Sequence, residues 1–377
     1  MRILILGAGA IGSLLAHRLG SAHHDVTLVG RPAAVRAIQE NGLILEEPTI
    51  QHQPTKIMPC LRRAEHTPYS SPTHPRVVTS LHEHYSDRRS WDLAILAVKV
   101  FDTSSAAQEL QPYLTPDVPL LIAQNGVGGE EIAQRELSEA NVVSMVVTLS
   151  VSVLAPGRVR LETHHGGLSL APTKADQDVR CWEQMLTHAG FRTAIFADYR
   201  AMKWSKLLLN LQANAIPAIL GQTPNGVYAD PSLFALERTA FLEAYHVMKA
   251  LGLEPVNFPG YPVTWLAWAM CAMPAIVLRP IMQRLVSSGR GDKPPSLQIG
   301  LLSGHERSEV AYLNGAVAAH GETLKITTPV NRALTDILMS IARGDTEWSR
   351  FRGQPNRLLA AITAMKEQSH DPDAVAE

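Results

Sequence analysis

Lys206, Asn210 and Asn214 recur every fourth residue in KWSKLLLNLQANAIPAILGQTPNG, residues 203–226. On a helix each four-residue step drifts only about 40° around the axis, so the three side chains are expected on one side. Leu207, Leu208, Leu209, Leu211, Ala213 and Ile216 surround them and would bury such a helix on several faces. An ammonium group and two carboxamides in that setting are costly unless they meet partners or a polar ligand. A plainer reading also stands, with a snorkelling lysine and two asparagines satisfied by neighbours.

A second cluster opens the chain. Gly7-Ala8-Gly9-Ala10-Ile11-Gly12 directly follows the apolar run of residues 1–6 and leads into a helical pattern through Leu14, Leu15 and Leu19. In that context Gly7 permits a tight turn, Gly9 lets a pyrophosphate approach the backbone, and Gly12 lets helix and strand pack closely. The N–H groups at the helix start, around Ala10 and Ile11, would hold phosphates. Asp25-Val26-Thr27-Leu28-Val29 reads as the next strand and ends in Gly30-Arg31. An acidic residue there would favour the ribose hydroxyls of NAD, whereas Arg31 suits a 2′-phosphate and so NADP(H). The alternative for Arg31 is a solvated loop side chain.

Further strands are expected at 92–98, 119–123 and 142–148. Two of them deliver polar groups at their carboxyl ends, Lys99 and Gln124-Asn125-Gly126, where open α/β sheets bind ligands. Residues 150–170 read as an antiparallel extension at the sheet edge, followed by a helix near 177–189 and a short strand near 193–197. Beyond Asp198 the pattern is helical: 200–220 as one helix, 223–226 as a turn, 233–251, 309–319, 329–342, and a short helix to Lys366 before a frayed tail. Trp348 and Phe351 are candidate anchors. Two domains are therefore expected: a dinucleotide-binding α/β domain over 1–197 and an all-α domain over 198–377.

Composition narrows the function classes. Over 377 residues, 46% are hydrophobic and 18% charged, which suits a soluble globular protein. A net charge of −1 gives no general pull toward nucleic acid or acidic membranes. Cys60, Cys181 and Cys271 form neither a disulfide framework nor a zinc ligand set, in keeping with a cytoplasmic protein. His82 and His84 would share a face of a strand, but no third ligand is identifiable and no metal site is assigned. Residues 48–90, with Pro54, Pro59, Pro68, Pro72 and Pro75, read as mainly extended surface chain with some strand at Val77-Val78-Thr79. The 18 charge-free residues from Tyr261 to Leu278 contain Pro262 and Pro274. A buried or pocket-lining helical hairpin fits them better than a membrane span.

Together these residues resemble the ketopantoate reductase (2-dehydropantoate 2-reductase) family over nearly the whole chain. The resemblance rests on GAGAIG, Arg31, the AVK ending at Lys99, the QNG holding Asn125, KLLLNLQAN, the PNG of 224–226, the PPS ending at Ser296, and SEVAYLNG with Glu309. It implies a Rossmann-type domain followed by an all-helical one, with the active site in the cleft between. It also implies NADPH-dependent reduction of a 2-oxo acid, making pantoate for pantothenate and coenzyme A synthesis. By the same resemblance Lys206 is the general acid and Glu309 interacts with substrate and the lysine. Asn125, Asn210, Asn214, Asn225 and Ser296 line the substrate pocket, while Lys99 and Asn125 lie near the nicotinamide.

The chain departs from the family pattern in places. Asn214 is followed by Ala215-Ile216-Pro217 rather than directly by proline, and Gly300 stands four after Ser296, where Asp is common. The Ser296-to-Glu309 spacing carries an apparent extra residue. The excursion at 48–90 and the apolar 257–287 segment exceed the shortest members, and the latter suits a substrate bulkier than ketopantoate. Two alternatives thus stay open: reduction of a different 2-oxo acid, and a regulator that senses NADPH without turnover. Retention of Lys206, Asn210 and Glu309 argues against the sensor, which needs no proton donor. The sequence leaves the assembly state open, a homodimer among the options.

Overall fold

The computed structural model describes residues 1–48, 72–83, 91–290 and 294–368. The expectations for most of 48–90, including His84, for residues 291–293 and for the tail from 369 lie outside the described residues. Eleven strands occur among those described: β1 (Arg2–Leu6), β2 (Asp25–Val29), β3 (Ile44–Glu46), β4 (Arg76–Val78), β5 (Leu93–Leu96), β6 (Pro119–Ile122), β7 (Asn141–Val147), β8 (Val151–Ala155), β9 (Arg158–Leu161), β10 (Leu168–Pro172) and β11 (Thr193–Ile195). Five helices accompany them: α1 (Ala10–Ser21), α2 (Pro32–Asn41), α3 (Thr103–Leu110), α4 (Gly129–Glu136) and α5 (Arg180–His188). The remainder is helical: α6 (Tyr199–Leu211), α7 (Ala215–Leu220), α8 (Pro224–Ala229), α9 (Pro231–Ala250), α10 (Val263–Ala272), α11 (Ala275–Arg290), α12 (Ser296–Leu302), α13 (Asn314–Thr323), α14 (Pro329–Arg343) and α15 (Pro355–Gln368).

The chain forms two compact units. One comprises Met1–Gln124, Gly128–Met202 and Phe258–Tyr261; the other comprises Asn125–Val127, Lys203–Asn257 and Pro262–Glu377. In the first, eight strands run in the order β11-β10-β7-β6-β5-β1-β2-β4. Pairing is parallel from β4 to β7, and only β10 against β7 is antiparallel. The two-residue period of a strand explains the two cores. Ile3 and Ile5 point to one side, among Leu14, Leu15 and Leu19 of α1 and Val35 and Ile38 of α2. Leu4 and Leu6 point to the other, among Ala106, Ala107 and Leu110 of α3 and Ala133 of α4. The sheet is therefore doubly wound, as a Rossmann-type domain requires.

The 150–170 region departs from its expected place at the edge of this sheet. The β8–β9 hairpin pairs instead with β3 in a separate three-stranded sheet, and β10 alone returns to β7. Glu46 on β3 fixes that small sheet by accepting from Arg158 Nε at 2.7 Å and Arg160 Nε at 2.8 Å, both on β9.

The second unit is all-α among its described residues. The long α9 starts at Pro231, capped by Asp230, whose carboxylate accepts from the Ser232 and Leu233 N–H groups at 2.7 and 3.2 Å. Its Phe234, Phe241, Val247 and Met248 are fully buried. Glu243, also buried on α9, accepts from the N–H groups of Val330 and Asn331 at the start of α14. Trp348 and Phe351 act as anchors: Trp348 Nε1 donates to Ile219 O at 2.8 Å, and Phe351 is buried.

Three local expectations change. Residues 200–220 form two helices rather than one, because Pro217 has no N–H for Ala213 O and its ring would clash with that carbonyl in a continuous helix. Residues 224–226 are not a free turn but the first turn of α8, where Thr223 Oγ1 accepts from Gly226 N–H at 3.2 Å. The apolar stretch does form two helices, α10 and α11, divided at Met273-Pro274, but they are not buried all round. Val263, Leu266, Met270, Leu278 and Met282 are buried, whereas Trp268 is 57% and Ile276 83% exposed. No helix among the described residues is long and apolar enough to cross a membrane.

Candidate active site

In the α/β unit, β1 runs straight into the glycine turn. Gly7 adopts φ +110°, and a side chain there would put its Cβ 2.7 Å from the Ala97 backbone. At Gly12 an added Cβ would lie 1.8 Å from the Gly7 carbonyl oxygen, so only glycine lets α1 start this close to β1. Gly9 is different: it is exposed, caps α1, and an added Cβ would meet nothing within 4 Å. At the same helix start the first N–H groups of α1, those of Ala10, Ile11 and Gly12, have no intrahelical acceptor. The arrangement fits a dinucleotide pyrophosphate: two glycines are required by the protein's own packing, and the third leaves room for a ligand.

The neighbouring strand ends bring two more of the expected groups to this edge. Gly30, after β2, packs so closely on Ala8 that an added Cβ would lie 2.5 Å from the Ala8 methyl carbon. Arg31 follows as the exposed residue that begins α2, with Pro32 fixing the first helical turn. Lys99, after β5, is likewise exposed and begins a short 3-10 turn over Val100–Asp102. Gln124 at the end of β6 is buried; its Nε2 donates to Val98 O and its Oε1 accepts from Thr103 Oγ1.

In the helical unit, four of the expected residues join in one hydrogen-bonded chain. Asn210 Nδ2 donates to Asn125 Oδ1 at 3.4 Å. Asn214 Nδ2 donates to the Asn210 carbonyl at 3.1 Å. Asn214 Oδ1 in turn accepts from Ser296 Oγ at 3.4 Å and from Leu297 N–H at 3.3 Å. Asn214 is thus not the third member of a face on α6, as its spacing suggests. It is the residue that begins α7, with φ −125° and ψ −63°, and its side chain is turned away from capping that helix. Lys206 stands one turn before Asn210 on α6 and is half-buried.

Asn125 is placed by a different element. Gly126 takes φ +83°, where an added Cβ would lie 2.6 Å from Tyr312 O, and Val127 N–H donates to that oxygen at 3.0 Å. Tyr312 ends the 3-10 turn that Glu309 begins, and Ser308 caps it by accepting from Val310 N–H at 3.3 Å. Glu309 is 7% exposed. Asn225, exposed in the first turn of α8, accepts from Gln283 Nε2 of α11 at 3.1 Å. Arg279, one turn earlier on α11, donates from Nη1 to Ala229 O at 2.7 Å at the end of α8. These α11 contacts carry no sequence signal of their own, although the four-residue spacing of Arg279 and Gln283 could have marked one face.

His82 falls in a 3-10 turn, and its Nδ1 lies 2.7 Å from Tyr113 Oη.

Comparison with known proteins joins the two units in one family. The family model described as "Ketopantoate reductase PanE/ApbA" matches residues 3–174, and its C-terminal counterpart matches residues 198–342. A 2-dehydropantoate 2-reductase of Mesorhizobium japonicum is 29% identical over 283 residues, covering 69% of this chain and 78% of the relative. Another of the same name from Archaeoglobus fulgidus is 25% identical and covers 91% of this chain and 98% of the relative. Among solved structures, a PanE/ApbA family ketopantoate reductase from Ralstonia eutropha JMP134 superposes with a TM-score of 0.72 at 26% identity, covering 91% of this chain and 99% of that one. D-mandelate dehydrogenase, solved with NADH and anilino(oxo)acetate, shares the fold with a TM-score of 0.71 at 18% identity, over 91% of this chain and 99% of its own. With a nicotinamide-type glycine turn in one unit and the lysine–asparagine arrangement in the other, the chain belongs to the ketopantoate reductase family and is an oxidoreductase of the 2-dehydropantoate 2-reductase type.

Proposed function

We propose that this protein reduces a 2-oxo acid with NADPH, and that the acid is 2-dehydropantoate, giving pantoate for pantothenate and coenzyme A synthesis. The observation that carries the proposal is the chain Asn125–Asn210–Asn214–Ser296, one helical turn from Lys206. Two of its side-chain bonds are 3.4 Å long, so these amide and hydroxyl groups are weakly committed to one another and can exchange onto a polar ligand. When bound, the reduced nicotinamide supplies the hydride that converts the substrate's C2 carbonyl to an alcohol.

This chain's own residues do the rest. Gly7, Gly9 and Gly12 shape the turn that receives the pyrophosphate, with the N–H groups of Ala10 and Ile11 facing it. Arg31 meets the 2′-phosphate, and Lys99 and Asn125 lie toward the nicotinamide. Asn210, Asn214, Asn225 and Ser296 hold the substrate's oxygens. As the carbonyl π pair moves onto oxygen, Lys206 Nζ meets the developing negative charge and gives up its proton, leaving a neutral amine and the 2-hydroxy acid. Glu309 orients the lysine and a substrate hydroxyl.

A positioned general acid contributes about 10²–10⁴-fold, so Lys206→Ala is expected to lower the single-turnover rate by that factor. NADPH affinity, set by the glycine turn, is expected to stay within about twofold, below 0.5 kcal/mol. A Lys206→Ala protein that is folded and reduces substrate at the original rate would remove the residue from the mechanism. A second substrate reading is supported by one contact, the bond from Gln283 to Asn225. It puts α11, from the segment that exceeds the shortest family members, against a substrate residue, as a site for a bulkier 2-oxo acid would need.

A further inference from the structure

The break between α6 and α7 raises a question the family motifs do not answer: what holds it in one geometry. Pro217 forbids a continuous helix through Ala213, but a forbidden helix can fail in many ways. Here it fails with Ala213 in the left-handed region at φ +50°, a conformation that L-residues other than glycine, asparagine and aspartate seldom adopt. Ala213 is fully buried, so its N–H has no water to turn to. That N–H donates to Glu237 Oε2 at 3.0 Å.

Glu237 lies on α9, 24 residues along the chain, and is 2% exposed. Glutamate is rarely buried this deeply without a task. The next residue after Ala213 is Asn214, whose side chain already donates to Asn210 O and accepts from Ser296 and Leu297. The preceding residue, Gln212, is held as well: Tyr228 Oη donates to its Oε1 at 2.8 Å. Glu243, six residues later on α9, is a second buried acid that receives backbone N–H groups, those starting α14, with burial holding its carboxyl above the usual range. Both acids therefore fix where a helix begins, but only Glu237 does so beside a residue of the candidate site.

We propose that Glu237 is a positioning residue for the 2-oxo acid site: by accepting the Ala213 N–H it sets the α6–α7 break and so presents Asn214 to the substrate. The proposal rests on the reading that Asn214 holds substrate. Without that acceptor the break loses the bond that Glu237 supplies and the turn re-forms, carrying the Asn214 carboxamide away from Ser296 and Asn210.

The test is a comparison of KM, kcat and NADPH Kd in Glu237→Ala, Glu237→Gln and Glu237→Asp, with thermal unfolding to confirm that each variant is folded. Glu237→Ala is expected to raise the 2-oxo acid KM at least about tenfold while NADPH Kd stays within about twofold. Glu237→Gln keeps an acceptor oxygen in place and is expected to restore KM to within about threefold. Glu237→Asp, one methylene too short, is expected to resemble Ala and serves as the readout if Glu237→Ala does not fold. Because Glu237 acts through Asn214, adding Glu237→Ala (or Glu237→Asp) to Asn214→Ala should raise KM no further than Asn214→Ala alone. Multiplying effects, or an unchanged KM in the folded Ala or Asp variant, would overturn the proposal. An unchanged KM in Asn214→Ala would instead overturn the substrate role of Asn214, and the proposal with it.

Discussion

The glycine turn and the α6–α7 break are both short stretches where a chain must bend tightly, and they are built in opposite ways. The turn is specified by its glycines. Gly12 must leave room for the Gly7 carbonyl oxygen at 1.8 Å, and Gly7 for the Ala97 backbone at 2.7 Å. The break carries no glycine; an alanine takes the left-handed conformation, and a glutamate 24 residues away secures it. Glycine adopts such a bend without backbone strain, whereas an ordinary residue in the left-handed region must be held there by the tertiary structure. The first bend is thus legible in its own residues and the second is not.

The largest expected effect separates two roles within the turn. Gly12→Ala forces a methyl into the Gly7 carbonyl and is expected to cost about 3 kcal/mol or more of stability, with cofactor binding lost along with it. Gly9→Ala meets nothing, so its melting temperature should match the unmodified protein while NADPH affinity falls about tenfold or more, because the methyl occupies ligand space. Differential scanning fluorimetry beside NADPH titration distinguishes them. If both variants lose stability equally, the division between packing glycine and ligand glycine is wrong.

A smaller effect is expected at Arg31, which is also local in origin since it simply follows Gly30. Arg31→Ala should weaken NADPH by about 1.5–3 kcal/mol, the worth of charge-assisted contacts to phosphate, and leave NADH nearly unchanged. Fluorescence titration with both cofactors measures the gap, and equal affinities for NADPH and NADH in the unmutated protein would refute the assignment.

How far the sequence carries follows the same division. The doubly wound sheet was legible because strands such as Ile3–Leu6 are unbroken apolar runs, as burial on both faces requires, and the glycine turn because its spacing is its mechanism. The polar residues around Lys206 were legible as a set, but the placement of Asn214 was not. A four-residue spacing implies a shared helical face only while the helix continues, and Pro217 ends that continuity at Ala213. Glu237 gave no signal, and Gln283 none beyond its four-residue spacing from Arg279, since an acid on an amphipathic helix and a glutamine on an apolar one look like solvent-facing residues until their partners are known. The exposure of Trp268 and Ile276 was likewise unreadable, because hydrophobic composition alone does not say how many faces of a helix are covered.

The smallest effect serves as a control on long-range contacts that lie outside the chemistry. Glu46 reaches Arg158 and Arg160, more than a hundred residues away, and its carboxyl is held below the usual range. Burial alone would raise it, but hydrogen bonds and charge from Arg160 and Arg158 outweigh that. A carboxyl depressed in the folded state stabilises above its unfolded pKa, and that contribution fades as pH falls through the folded value. Because both arginines are partly exposed, Glu46→Gln is expected to cost only about 1–2 kcal/mol at neutral pH. The difference from the unmutated protein should shrink below about pH 4, while kcat and KM stay unchanged. A kinetic effect would show that the small sheet communicates with the site.

The central claim is that the glycine turn and the Lys206–Asn214 region together perform NADPH-dependent reduction of a 2-oxo acid. Its most direct test is the loss of NADPH absorbance by the unmutated protein with 2-dehydropantoate, run beside a panel of other 2-oxo acids and repeated with NADH. Turnover of 2-dehydropantoate with NADPH at a higher kcat/KM than any other pair is the expected result. NADPH bound tightly but consumed with no 2-oxo acid in the panel would contradict it and leave a nucleotide sensor in its place.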